Sequence, residues 1–181
     1  MGKGDDSTDA VSLISAPENS IIVELGPGAG YSLRQILASL KPSRVYAIEI
    51  SDAFRNDLTS DKEFAASIES GLLSVHANDA KCLNFIPSNS VDVIFGFNLI
   101  YFLDPLSEYL KEMKRILKPG GTVNFGVKDI AKTFDNTVYI NTDWTACLDQ
   151  MKSAGLVEVE QAESRLEGTS EYIPLVGKKP K

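Results

Sequence analysis

The segment Ile21-Ile22-Val23-Glu24-Leu25-Gly26-Pro27-Gly28-Ala29-Gly30 is what most constrains the fold of this chain. A short apolar run that ends in closely spaced glycines reads as a buried strand feeding a tight loop. Residues without a Cβ let the backbone turn sharply and approach a ligand closely. Ser32 to Leu40 follows with Leu33, Ile36, Leu37 and Leu40 at helical spacing. Strand, glycine loop and helix in that order open an α/β sheet, and the same alternation continues along the chain.

Lys41-Pro42-Ser43 ends the first helix, and Arg44 to Ile50 reads as a second strand. Ser51 or Asp52 caps a helix that carries Phe54, Leu58, Phe64 and Ile68. Gly71 breaks it before a third strand, Leu72 to His76. A fourth, Val91 to Gly96, is entered through the turn-rich Pro87-Ser88-Asn89-Ser90. Asp104-Pro105 predicts a helix start, with the carboxylate as cap and the proline at the first helical position. Lys118-Pro119-Gly120-Gly121 stops that helix, and Thr122 to Val127 is a fifth strand. Thr142 or Asp143 opens a last helix with Trp144, Cys147, Leu148 and Met151 on one face and Gly155 as its stop. Leu156 to Glu160 and Tyr172 to Gly177 are final strands with no helix between them. Strands separated by helices need crossover connections, so the pattern predicts one α/β domain. Its sheet is doubly wound, mostly parallel and seven-stranded, with an antiparallel hairpin at the C-terminal edge. The expected domain spans residues 21–181, after a partly flexible segment 1–20.

Composition excludes several classes of function. The chain has 181 residues and a formal net charge of -7, which argues against nucleic acid and anionic membranes as partners. No apolar run approaches the ~20 residues that span a bilayer. Lys178, Lys179 and Lys181 read as a solvated tail, and Gly2 to Asp9 as a frayed end. An N-terminal myristoylation signal wants Ser or Thr where Asp6 stands. Cys82, Cys147 and the single His76 offer no zinc spacing, so no metal is expected. The absence of a disulfide framework fits a reducing, cytoplasmic setting. Both cysteines read as core fillers, and His76 as a residue satisfied within the sheet rather than a base.

Ligands of open α/β sheets bind outside the carboxyl ends of the strands, where the strand order reverses. The glycine loop lies at such an end. Glu49 closes the next strand about 20 residues on, where a carboxylate can hold ribose hydroxyls. Two cofactor classes use this arrangement. A dinucleotide loop reads GxGxxG and binds a pyrophosphate at the helix N-terminus. Here the spacing is GxGxG, Tyr31 takes the place of the third glycine, and Glu24 would repel a pyrophosphate. A carboxylate at that point suits a ligand that carries an ammonium group.

Val23-Glu24-Leu25-Gly26-Pro27-Gly28-Ala29-Gly30 resembles the first motif of class I S-adenosylmethionine-dependent methyltransferases. Ala47-Ile48-Glu49-Ile50-Ser51 resembles the second, with the ribose-binding acid at Glu49. Asn78-Asp79-Ala80 resembles the acidic turn after the third strand, whose side chain meets the adenine amino group in that family. Ser90 to Ile94 followed by Asn98-Leu99-Ile100-Tyr101-Phe102 resembles the fourth, and Ile116 to Gly121 the helix-to-strand turn of the small-molecule branch. The resemblance runs from Ile21 to Val127 and implies a Rossmann-like fold with S-adenosylmethionine as cofactor. Its contacts would come from Glu24, Gly26, Pro27, Gly28, Gly30, Glu49, Ile50, Asp79, Ala80 and Asn98.

The acceptor half of the site is less defined. Asn98 and Tyr101 follow the fourth strand, beside the expected methyl group, and are the candidates for positioning an acceptor; Tyr101 and Phe102 equally suit covering the cofactor or filling core. Asn98-Leu99-Ile100-Tyr101 stands where base-amino methyltransferases carry Asn-Pro-Pro-Tyr, which favours a small-molecule acceptor. The stretch before Ile21 is short. The acceptor pocket is therefore expected to be open, completed by another subunit as in a homo-oligomer, or roofed by Lys128 to Thr142. A cofactor-binding family member without activity and a nicotinamide-dependent oxidoreductase stay open as alternatives.

Overall fold

The computed structural model describes residues 14–129, 133, 135–167 and 170–181, with the side chains of 165–170 set aside. The N-terminal features expected at Gly2 to Asp9 lie outside the described residues, as does part of the Lys128 to Thr142 stretch.

The strands are β1 (Ile21–Leu25), β2 (Arg44–Ile48), β3 (Leu73–His76), β4 (Val91–Phe97), β5 (Leu117–Val127), β6 (Val157–Gln161), β7 (Arg165–Glu167) and β8 (Ser170–Lys178). The helices are α1 (Tyr31–Ser39), α2 (Asp52–Ser60), α3 (Lys62–Glu69), α4 (Leu106–Ile116) and α5 (Trp144–Ser153), with a 3-10 turn at Ile100–Phe102. The sheet order is β3-β2-β1-β4-β5-β8-β6, and β7 pairs with β8 off this path. β3, β2, β1, β4 and β5 run parallel, while β8 lies antiparallel between β5 and β6. The expected seven-stranded path with an antiparallel edge is present, and the short β7 is an addition to it.

Both faces of the parallel part are buried, so β1 is apolar on both faces except at Glu24 rather than alternating. One face packs Ile22, Val45 and Phe95 against Leu33 and Ile36 of α1, Leu58 of α2 and Phe64 of α3. The other packs Val23, Leu25, Ile94 and Val123 against Leu110 and Met113 of α4 and against Trp144, Cys147 and Met151 of α5. The strand order reverses between β1 and β4, which places the glycine loop at the switch point.

Three local expectations need correction. The helix expected after β2 is two helices. Ser51 caps α2 by accepting from Phe54 N–H, and Asp61 ends it in an extended conformation and caps α3 by accepting from Glu63 N–H. An Asp whose carboxylate takes a nearby amide competes with helix continuation, which breaks the pattern there. Asp104 does not cap α4: the N-cap is Pro105, in an extended conformation with no side-chain bond. β5 starts at Leu117 rather than Thr122, because Lys118 to Gly121 stays in the sheet as an irregularity opposite Val91 and Val93.

Candidate functional site

The loop after β1 stays tied to the sheet, with Gly26 N–H donating to Ile48 O at 2.8 Å and Gly30 N–H to Pro27 O at 2.9 Å. Gly26, Gly28 and Gly30 all have positive φ, at 66°, 52° and 78°. The loop needs glycine at two positions for different reasons. A Cβ on Gly30 would stand 2.6 Å from Leu58 and 2.9 Å from Phe64, so this glycine lets the loop sit on α2 and α3. A Cβ on Gly28 would meet nothing within 4 Å, so this glycine faces open space beside the site.

Glu49 is 6 % exposed and braces the loop from the end of β2. Its Oε2 accepts Gly28 N–H at 3.1 Å and its Oε1 accepts Ser51 N–H at 2.9 Å. Arg55 donates to the Glu49 carbonyl at 2.7 Å, so α2 fixes the backbone behind the carboxylate. A cleft opens beside it, lined by Gly26, Glu49, Ile50, Asp79, Ala80 and Leu99. Ile50 is 74 % exposed, an apolar side chain standing free at the mouth of the cleft. Phe102 and Tyr109 close the far side. Asp79 holds its own turn by accepting Lys81 N–H at 3.2 Å, and it bonds the Tyr109 hydroxyl. Burial and then that bond push the Tyr109 hydroxyl up to about 12.

Glu24 is 2 % exposed, deep behind the loop. Its Oε1 accepts the Ser32 hydroxyl from the first turn of α1, and its Oε2 is buried with no hydrogen-bond partner among the described residues. Burial raises its pKa, the Ser32 bond opposes that, and the Glu49 charge adds to it, leaving it at about 8. A buried carboxylate with a vacant oxygen is costly unless a donor comes to it. An ammonium group is such a donor, and Glu49 and Asp79 add two carboxylates that line the neighbouring cleft. The donor set therefore fits S-adenosylmethionine, and the pyrophosphate of a dinucleotide would meet the Glu24 carboxylate instead.

Asn98 and Tyr101 lie at the neighbouring end of β4, next to the cleft. Asn98 takes a left-handed φ of 52° and is exposed. Its Nδ2 donates to the Tyr172 hydroxyl at 3.2 Å. Tyr101 is 2 % exposed, packed among Phe102, Tyr139 and Trp144. Its hydroxyl accepts Lys128 N–H at 2.7 Å and donates to Asn98 Oδ1 at 3.4 Å. Burial pushes that hydroxyl up to about 12. Tyr101 is thus a core residue that holds Asn98, while Phe102 reaches the cleft. His76 lies on β3, where it shares a hydrogen bond with Ser74 at 3.0 Å and stacks on Phe85 at 4.2 Å, apart from the cleft. Burial lowers its pKa, and the Arg44 charge adds to the effect. Cys147 is buried as expected, but Cys82 is exposed.

Tyr172, Lys128, Ser32 and Leu99 were not singled out by sequence. Tyr172 and Lys128 meet, the ammonium 4.6 Å from the ring centre, only because β8 pairs with β5. Leu99 would touch a Cβ on Gly26 at 3.1 Å, a contact between segments far apart in the chain. Ser32 alone carried a local signal, a hydroxyl in the first helical turn after a loop that follows a buried acid.

Comparison with known proteins bears on the same site. The family model described as "Methyltransferase domain" matches residues 23–125. No curated protein matches the sequence. Among solved structures, a Haloferax volcanii chain in complex with the Trm112 methyltransferase activator shares 18% identity at TM-score 0.73, over 98% of this chain and 90% of that one. An Aquifex aeolicus SAM-dependent methyltransferase shares 19% identity at TM-score 0.68, over 96% and 94%. The Haemonchus contortus phosphoethanolamine N-methyltransferase 2 bound to S-adenosyl-L-methionine shares 13% identity at TM-score 0.75. There, 99% of this chain covers 53% of the other. These similarities establish the fold, and the nicotinamide alternative gains nothing from them. The family model extends over more than half of the sequence and contains the glycine loop, Glu49 and Asp79, so the chain belongs to the methyltransferase-domain family of class I, with S-adenosylmethionine as its cofactor.

Proposed function

We propose that this protein transfers a methyl group from S-adenosylmethionine to a small-molecule nucleophile bound in front of Asn98 and Tyr172. The observation that carries the reading is the buried Oε2 of Glu24, which has no hydrogen-bond partner among the described residues, on the strand that runs into the glycine loop, with Glu49 and Asp79 lining the cleft beside that loop. Glu49 would take the ribose diol and Asp79 the adenine amino group. Ile50 and Ala80 would cover the base, and Gly26, Pro27, Gly28 and Gly30 would let the backbone approach the amino-acid end. The bound cofactor supplies an already activated methyl group on a sulfonium. What the protein adds is alignment and exclusion of water, and alignment of this kind lowers barriers by roughly 7 to 11 kcal/mol.

The Tyr101 hydroxyl, raised to about 12 and engaged by Lys128 N–H and Asn98, is a poor general base near neutral pH. That favours an acceptor that reaches the site already nucleophilic, such as a neutral amine or a thiolate that has left its proton in solvent, with Asn98 as the group that touches it and Tyr101 as a positioning residue. The same observation supports a second reading, a family member that binds the cofactor without turning it over. Calorimetric titration with S-adenosylmethionine tests the shared premise, and no saturable binding at millimolar ligand rejects both readings. A radiolabelled methyl-transfer screen over small amines and thiols separates them. Label in an acceptor supports the first, and binding with no transfer to any member of the panel supports the second.

A further inference from the structure

Glu24 occupies a strand position flanked by Ala47 on β2 and Phe95 on β4, where an apolar side chain would be expected. Its surroundings are unfavourable to a negative charge. β4 offers Val93 and Phe95, both buried and apolar. α1 offers the single Ser32 hydroxyl, and its Arg34 is turned away to Asp61 and Glu63. The end of β2 offers Glu49, a like charge whose two oxygens already take the amides of Gly28 and Ser51. Arg55 of α2 reaches the Glu49 carbonyl and Asp52 instead. Oε2 remains buried and, among the described residues, without a partner. A carboxyl group so enclosed is more stable as the acid than as the ion until a cation comes to it.

We propose that Glu24 carries a proton in the ligand-free protein and that the ammonium group of the cofactor expels it, so that cofactor binding and proton release are one event. The inference rests on the cofactor reading above. In the step, the O–H bond of the Glu24 carboxylic acid breaks, the proton passes to buffer, and the carboxylate pairs with the ammonium; no electrons are transferred. With the free carboxyl near 8, at least about nine in ten molecules hold the proton at pH 7 and below. The release belongs to the amino-acid end of the ligand and not to the sulfonium. S-adenosylhomocysteine should therefore release the same proton, and 5′-methylthioadenosine, which lacks the amino-acid end, should release none.

The test is isothermal calorimetry on the full chain at pH 6.5, in phosphate and in imidazole, whose ionisation enthalpies differ. The expected result is close to one proton released per S-adenosylhomocysteine bound, with affinity about tenfold tighter at pH 7 than at pH 6. The count for 5′-methylthioadenosine should be near zero, and so should that for S-adenosylhomocysteine with Glu24→Gln. A count near zero for S-adenosylhomocysteine with the native protein overturns the proposal, as does equal release by the two ligands. Neither comparison needs the variant to fold. Saturable binding without proton release leaves the cofactor reading standing and overturns this inference alone. No saturable binding of either ligand overturns both.

Discussion

At the scale of single residues, the site is defined by side chains whose local cost is offset only in context. Glu24 is the plainest case. Its carboxyl is raised from 4.5 to about 8, chiefly by burial, so between those values the folded protein binds a proton that the unfolded chain does not. The stability contributed by this group is complete below about 4.5 and is lost as pH rises through about 8. In urea titrations of the ligand-free protein, stability should decline more steeply with pH for the native protein than for Glu24→Gln. The difference in slope should approach ~1.4 kcal/mol per pH unit around pH 6, and equal slopes would show that Glu24 titrates normally. The glycines divide by the same reasoning. Gly30→Ala combines a left-handed φ with a clash against Leu58 and Phe64, and should cost well over the ~1 to 2 kcal/mol of the backbone term alone. Gly28→Ala should cost only that backbone term, yet weaken cofactor affinity strongly, because its Cβ would enter open space beside the cleft. Denaturant unfolding paired with calorimetry reads both effects.

At the scale of elements, what matters is how each strand end and helix start is fixed. Gly30 opens α1 in a left-handed conformation without a side-chain cap, and the first turn presents Ser32 to Glu24 instead. The helix start thereby serves the site more than its own termination. α5 is the contrasting case. Asp143 accepts Ala146 N–H at 3.1 Å, and the helix lays Trp144, Cys147 and Met151 on the sheet. Asp143→Ala should lose about 1 kcal/mol of stability and Asp143→Asn far less, as measured by urea midpoints. The entry to β1 is held in a third way. Asp92 accepts Ile21 N–H at 2.8 Å and both its oxygens take the Lys118 ammonium at 2.8 Å, which ties β1, β4 and β5 at the end opposite the cleft. Anchored there, the strands deliver their other ends to the site in fixed register.

At the scale of the molecule, the parallel strands β3-β2-β1-β4-β5 bring Gly26–Gly30, Glu49, Asp79 and Asn98 to one edge of the sheet, although the sequence spreads them widely. Among the described residues, no helix is long and apolar enough to cross a membrane. A ligand that bridges the ends of β1, β2, β3 and β4 stabilises the folded state by mass action. S-adenosylhomocysteine at about 100 times its Kd should add ~2.7 kcal/mol, or a Tm increase of roughly 5 to 10 °C for a chain of this size. Thermal scans check this, and an unchanged Tm at saturation would contradict binding across the sheet edge.

The alternation of strands and helices, the glycine loop and the acids at Glu24, Glu49 and Asp79 are legible in the sequence alone, and so is the neighbourhood of two caps, at Ser51 or Asp52 and at Thr142 or Asp143, between which the structure chooses Ser51 and Asp143. These are local signals: hydrophobic period, residues that tolerate positive φ, and side chains that compete for nearby amides. The break at Asp61 hides inside a continuous helical pattern, and Asp104-Pro105 carries a helix-start pattern whose carboxylate the structure does not use. It takes the assembled sheet to show that Oε2 of Glu24 lacks a partner among the described residues, that Tyr101 is core while Asn98 is surface, and that Tyr172 and Lys128 stand beside them. Those facts depend on which strands become neighbours and on what remains to satisfy each buried polar atom, and neither is encoded within a short window of the chain.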